Sequence, residues 1–205
     1  MNEFPIILAM DYKSINNITP LIKSIKKHVK NYHIYIITDK EVNIDDCTII
    51  VKENTFKGPY STITGHTYYR LFIDELIPDI KKCLYLDYDT LIVDDISDLL
   101  DGDDWIVKAA ADPLIDFFNA GVIAFNFTDE CKELMNKARS MINEWYDDQY
   151  ILNYVFKNKF TRISTKYNIN GSLMNITPED KIIHYIGGTK PWNWGSCYKY
   201  YFDLI

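Results

Sequence analysis

The chain has 205 residues, 47% hydrophobic and 25% charged, which is enough apolar material for one sizeable core. Its net charge of -7 argues against attachment to nucleic acid or to an anionic membrane by bulk attraction. An anionic ligand would have to be met by a few placed cations or by a metal.

Residues 4–10 are an apolar run that reads as a first strand, ending at Asp11 and Tyr12. Thr19 and Pro20 read as the N-cap and first residue of a helix, continued by Leu21, Ile22, Ile25 and Val29 at helical spacing. Lys26, Lys27, His28 and Lys30 suit the helix C-terminus. Residues 33–38 are a second strand. A strand-helix-strand unit implies parallel strands and a right-handed crossover. Ligands in such sheets bind at the C-terminal strand ends, which sets Ala9, Asp11 and Tyr12 on a ligand-facing rim. Residues 48–51 read as a short strand, 55–65 as a polar loop with Gly58-Pro59, and 67–76 as a helix. That helix carries Arg70 among aromatics, either as a surface ion pair or as a guanidinium serving a carboxylate or phosphate.

Residues 82–93 hold the most telling stretch. The apolar run Leu84-Tyr85-Leu86 leads to Asp87-Tyr88-Asp89, and a second apolar run follows. Carboxylates at the end of a buried strand are costly unless a cation meets them. In extended backbone, Asp87 and Asp89 would point to one side and could share a divalent ion. Solvated turn residues are the competing reading. An EF-hand fails, because its fifth and sixth positions would be Leu91 and Ile92. A haloacid-dehalogenase-type phosphohydrolase stays open, although Thr90 stands one residue early for its pattern.

Residues 94–100 read as a turn and short helix, 101–104 as a solvated acidic loop, and 105–111 as a strand with Asp112 at its end. In the run Phe118-Asn119-Ala120-Gly121-Val122, Gly121 lets backbone come close to a ligand. Asn119 can bond sugar hydroxyls or close a local turn. Residues 129–143 are an amphipathic helix. Asp147 and Asp148 open the next helix, where acidic residues suit the dipole. Residues 160–177 read as irregular and 181–185 as a strand. His184, just before Gly187-Gly188-Thr189-Lys190, could supply a third metal ligand, with Lys190 as a phosphate partner.

The cysteines Cys47, Cys83, Cys131 and Cys197 lack zinc-site spacing and read as buried thiols of a reducing compartment, with a disulfide left open by their even number. No apolar stretch approaches ~20 residues. The first ten residues have no basic lead and make a poor signal peptide. The expectation is a soluble, cytoplasmic protein with no transmembrane segment and no nucleic-acid partner.

In this order, the motifs resemble glycosyltransferase family 8, the group of glycogenin and bacterial lipopolysaccharide galactosyltransferases. The matching stretches are Ala9-Met10-Asp11-Tyr12, Thr67-Tyr68-Tyr69-Arg70-Leu71, Leu84 to Asp89, Phe118 to Val122, Asp148 to Asn153 and His184 to Trp192. The resemblance implies an α/β GT-A fold: a Rossmann-like nucleotide-binding half, mainly residues 1–93, fused to an acceptor half, mainly 94–205, around one mixed, mostly parallel sheet. It implies a UDP-sugar donor and Mn2+, with Mg2+ as the alternative, held by Asp87, Asp89 and His184. Ala9, Asp11 and Tyr12 would line the uridine pocket. Lys190 and the Gly187 backbone would attend the diphosphate, with Tyr88 and Gly121 also among the residues that bind the donor. Arg70, Asn119, Asp148 and Gln149 would face the donor sugar, with a glycan, protein or lipid-linked acceptor beyond. The family usually shows Asp-Gln-Asp where this chain has Asp148-Gln149-Tyr150. Retention of configuration is the default. An inverting path, with Asp147 or Asp148 as general base, and a non-catalytic nucleotide-sugar-binding module both stay open. The chain's length relative to the family leaves room for further domains of a longer protein.

Overall fold

Every side chain from Phe4 to Ala9 (β1) is apolar because the strand is covered on both faces. Ile6 and Leu8 point into one layer, with Leu21, Ile22 and Ile25 of α1 (Thr19–His28). Ile7 and Ala9 point into the other, which is built largely by Leu71, Met135, Ile151 and Leu152. Each fully buried Ile or Leu contributes about 2 kcal/mol of apolar burial. The computed structural model describes residues 3–57, 65–111, 117–143, 145–171, 176–187, 190, 192 and 203. The expectations for Gly58-Pro59, Asp112, Gly188, Thr189, Pro191, Cys197 and the final stretch other than Asp203 lie outside the described residues.

The remaining strands are β2 (Tyr32–Thr38), β3 (Cys47–Val51), β4 (Lys82–Leu86), β5 (Thr90–Ile92), β6 (Val107–Ala111), β7 (Phe118–Asn126), β8 (Phe160–Ile163), β9 (Ile169–Asn170) and β10 (Ile182–His184). The main sheet runs β3-β2-β1-β4-β7-β6-β8. Its β1-β2, β2-β3, β1-β4 and β6-β8 pairs are parallel. The β4-β7 and β6-β7 pairs are antiparallel. The sheet is therefore mixed and mostly parallel, as expected. A second sheet, β5-β10-β9, was not anticipated. It matters most for the site, because it carries the chain from β4 back against β10.

Three helices cover the face opposite α1: α2 (Ile73–Leu76), α3 (Asp129–Ser140) and α4 (Asp148–Val155). Several local expectations need correction. Thr19 is the first residue of α1 and not its cap. Ile18 precedes it in αR backbone, because a 3-10 helix over Tyr12–Asn17 runs straight into α1. The helix expected over 67–76 is a 3-10 helix, Gly65–Phe72, followed by the short α2. Tyr68, Tyr69, Arg70 and Leu71 are consecutive and all buried, so no single helical stripe decides the conformation. The expected 105–111 strand starts at Val107. Residues 160–177 contain β8, a 3-10 turn and β9, so that stretch is not irregular. Among the described residues no helix is long and apolar enough to cross a membrane. Cys83 and Cys131 are buried free thiols, whereas Cys47 is only half-buried.

Candidate active site

The C-terminal end of β4 opens into a turn. Asp87 N–H donates to the Gly121 carbonyl of β7 at 2.8 Å. Thr90 closes the turn by donating from N (3.1 Å) and from Oγ1 (2.8 Å) to the Asp87 carbonyl. Asp87 and Asp89 do converge, but through this turn and not through the extended backbone expected from their spacing. The adjoining β5 is pinned to α1, where Ile92 N–H donates to Ser24 Oγ at 3.1 Å.

The small sheet brings in the third group. β10 pairs antiparallel with β5, setting His184 opposite Thr90, and Tyr185 N–H donates to the Asp89 carbonyl at 3.0 Å. His184 Nε2 then lies 3.3 Å from Asp89 Oδ1 and 3.7 Å from Asp87 Oδ2. One ligand atom from each of the three residues lies within 4.8 Å of the others. Two carboxylates and an imidazole form a donor set suited to a divalent ion of the Mn2+ or Mg2+ kind.

Gly121 is the floor of this cluster. A Cβ there would lie 2.1 Å from His184 Cε1 and 2.7 Å from Asp87 Oδ2. The missing side chain at Gly121 leaves room for His184 and Asp87. Such a cradle, with three convergent donors, fits a bound metal.

Buried cations and anions alternate around the cluster. The Arg70 guanidinium is 4% exposed, lies 2.8 Å from Asp87 Oδ1 and 3.0 Å from Asp148 Oδ2, and also donates to the Ala120 carbonyl. Burial disfavours its charge, but Asp148 and Asp87 more than offset this and raise its pKa. Arg70 is thus a clamp between two carboxylates. Burial lifts the Asp148 carboxyl above its usual range even though Arg70 pulls the other way. Burial also opposes ionisation of Asp89, yet His184 and then Lys190 outweigh it and hold that carboxyl at about 2. Lys190 Nζ pairs with Asp89 and donates to the Tyr185 carbonyl at 3.2 Å. Gly187, at φ 92°, takes the turn between them in a left-handed backbone.

The side expected to face a sugar is held by amides. Asn119 Nδ2 donates to Gln149 Oε1 at 3.0 Å, and Ala120 N–H donates to the same oxygen at 2.9 Å. Asn119 Oδ1 accepts from Gly121 N–H at 3.0 Å and from Asn168 Nδ2 at 3.2 Å. Asn119, Gln149, Asp148 and Arg70 are therefore joined in two pairs beside the carboxylate-imidazole cluster. Asp147 sits at the start of α4, where its Oδ1 accepts from Tyr150 N–H at 2.6 Å and caps the helix.

At the rim, buried Ala9 ends β1, and Asp11 caps the following 3-10 helix by accepting from Ser14 N–H at 2.8 Å. Tyr12 is exposed, and its N–H donates to Asp39 Oδ1 at 2.7 Å. Tyr88 stacks on Trp192 with ring centroids 5.6 Å apart. A wide cleft of about 1160 Å3 lies at the opposite, N-terminal strand ends, lined by Phe4, Tyr35, Ile77 and Lys82 among others, without the converging donors seen here.

Three contributors escaped the sequence reading. Asn168 Oδ1 lies 3.0 Å from His184 Nδ1. Tyr85 donates its hydroxyl to Asp87 Oδ1 at 2.7 Å. Asp39 anchors Tyr12. Only Tyr85 carried a usable signal: a tyrosine two residues before an aspartate on a buried strand shares its side, and a buried hydroxyl needs a partner.

Comparison with known proteins shows the family of the chain. The model of the family described as glycosyl transferase family 8 matches residues 5–195. Glycosyltransferase GlyA of Streptococcus pneumoniae is 30% identical over 223 aligned residues, covering 91% of this chain and 32% of GlyA. Glycosyltransferase GlyE of the same organism is 27% identical, covering 92% of this chain and 56% of GlyE. The chain therefore spans about a third of one curated relative and just over half of the other. The crystal structure of the galactosyltransferase LgtC with donor and acceptor sugar analogues superposes with a TM-score of 0.79 at 23% identity, covering 98% of this chain and 96% of that one. The family match displaces the phosphohydrolase alternative. Its sequence motifs and its mixed GT-A sheet together make this chain a member of glycosyl transferase family 8.

Proposed function

We propose that the chain is a metal-dependent glycosyltransferase that moves a sugar from a UDP-sugar to a hydroxyl of a glycan, protein or lipid-linked acceptor. The observation that carries this reading is the convergence of Asp87, Asp89 and His184 over the bare backbone of Gly121. A divalent ion held there, Mn2+ or Mg2+, would neutralise charge on the leaving diphosphate.

The chain's own residues divide the remaining work. Arg70 and Tyr85 fix Asp87, and Asn168 fixes His184. Lys190 pairs with Asp89 and is a long, flexible cation that can pass from that carboxylate to a phosphate. Ala9, Asp11 and Tyr12 stand at the rim proposed for the uracil and ribose. Gln149 and Asn119 orient the backbone of 119–121 toward the donor sugar. Inversion would need a free general base. Asp147 is spent on capping α4 and Asp148 on Arg70, which supports the retaining outcome.

The test is UDP release from UDP-glucose, UDP-galactose and their N-acetyl analogues. We expect slow release with Mn2+ that is lost in EDTA and in Asp89→Asn. Binding of a UDP-sugar with no release at all would favour a non-catalytic binding module. Release at the same rate in EDTA would contradict the reading.

A further inference from the structure

Asp89 has both carboxylate oxygens engaged. His184 Nε2 lies 3.3 Å from Oδ1, and Lys190 Nζ pairs with Oδ2. The Asp89 side chain is 6% exposed and that of Lys190 24%, so solvent screens the pair less than it would a surface one. The ammonium has a second acceptor in the Tyr185 carbonyl, at 3.2 Å. Tyr185 N–H donates in turn to the Asp89 carbonyl at 3.0 Å. Two residues beyond Lys190, Trp192 stacks on Tyr88 and packs against the cluster of Leu91, Ile183 and Tyr185. Contacts on both sides of Lys190 thus direct its stem toward Asp89.

A divalent ion held by Asp87, Asp89 and His184 needs the carboxylate that Lys190 already engages. Two cations at one carboxylate repel, and burial strengthens the repulsion. Arg70 has no room to give way, because its guanidinium is also held by Asp148 and the Ala120 carbonyl. Lys190 can give way. Its ammonium is a point charge on a flexible four-carbon stem, and a phosphate oxygen suits it as well as a carboxylate does.

We propose that Lys190 is an internal rival of the metal for Asp89, and that this rivalry couples metal binding to diphosphate binding. The inference rests on the metal-and-donor reading above. With a metal at the cluster, Lys190 leaves Asp89 and can serve a phosphate. With a phosphate present, Lys190 is drawn from Asp89, and the carboxylate is left to the metal. Such coupling is reciprocal, each ligand raising the affinity of the other by one common factor. Metal alone therefore binds weakly, and metal and diphosphate assemble together. A purely structural ion pair makes the opposite prediction, since loss of Lys190 would then loosen the Asp89 turn and weaken metal binding.

The test titrates Mn2+ calorimetrically into the full chain, with and without saturating UDP. The variants are Lys190→Met, which keeps length and removes the charge, and Lys190→Arg, which keeps the charge. We expect Mn2+ alone to bind Lys190→Met about tenfold tighter than the parent, and the enhancement by UDP to shrink about tenfold. Lys190→Arg should bind Mn2+ alone no tighter than the parent. A second readout uses the parent chain: acylation of Lys190 by an N-hydroxysuccinimide ester, followed by mass spectrometry. Labelling should speed up with Mn2+ and slow again when UDP is added. This readout decides the question where a substitution harms the fold. Mn2+ affinity unchanged or weakened in a folded Lys190→Met overturns the rivalry, as does labelling indifferent to Mn2+. Tighter Mn2+ binding in Lys190→Met, with no effect of UDP in either protein, would sink the donor reading and leave the rivalry at Asp89 standing. Absence of Mn2+ binding in parent and variants alike would sink the metal reading, and this inference with it.

Discussion

His184 turns Nε2 toward the two aspartates because Asn168 holds its other ring nitrogen, with Nδ1 3.0 Å from Asn168 Oδ1. An amide oxygen only accepts, so Nδ1 carries the proton and Nε2 keeps its lone pair for a metal. Asn168 Nδ2 is in turn bound to Asn119, which fixes which way the amide points. Asn168→Ala should therefore weaken Mn2+ binding roughly 10–100-fold while the fold persists. Calorimetric titration of Mn2+ into the purified variant measures this. An unchanged affinity would show that β10 alone orients the imidazole.

Gly121→Ala is the sharpest test of the cradle. The added methyl would lie 2.1 Å from His184 Cε1, so either the imidazole or β7 must move. We expect at least about a tenfold loss of metal affinity, and destabilisation of about 1–3 kcal/mol from overpacking. Urea unfolding and metal titration together separate the two effects.

Arg70 links the buried Asp148 to the partly exposed Asp87. Arg70→Leu leaves buried Asp148 without its cation and Asp87 with the Tyr85 hydroxyl and His184, and should cost about 3–5 kcal/mol. Arg70→Leu combined with Asp148→Asn should recover part of that loss, because one orphaned charge goes with it. A double-mutant cycle by urea unfolding gives the coupling. Strict additivity would mean that the two side chains do not interact energetically.

Tyr68 supplies a pH signature. Burial, followed by the nearby Asp148 and Asp147, raises its hydroxyl from 10.0 to about 12. A group with a raised folded-state pKa stabilises below its unfolded value and loses that contribution as pH rises through the folded one. Wild-type stability should fall between about pH 10 and 12, and Tyr68→Phe should fall less over the same interval. Urea midpoints across that range decide it, and parallel slopes would refute the assignment.

The strand-helix-strand start, the DxD turn and His184 were legible because each is written locally: an apolar run, a carboxylate pair, a histidine ending a strand. The residues that hold those groups in place were not. Asn168 sits in a short stretch that reads as irregular, and amides in such stretches ordinarily close turns. Its contact with His184 depends on β9 pairing with β10, a two-residue strand with no periodicity to detect. The Gly65–Phe72 segment misled for a related reason. Its buried residues are consecutive, so tertiary packing and not helical spacing chose its conformation. Asp147 was legible as a helix-start residue, and it caps α4.

We propose that Asp87, Asp89 and His184 together bind a metal that in turn holds a nucleoside diphosphate. Calorimetric titration of UDP, with and without Mn2+, tests it most directly. We expect UDP binding in Mn2+, no detectable binding in EDTA, and loss of the Mn2+-dependent binding in Asp89→Ala. Equal UDP affinity in EDTA and Mn2+, or Mn2+-dependent binding unchanged by Asp89→Ala, would contradict it.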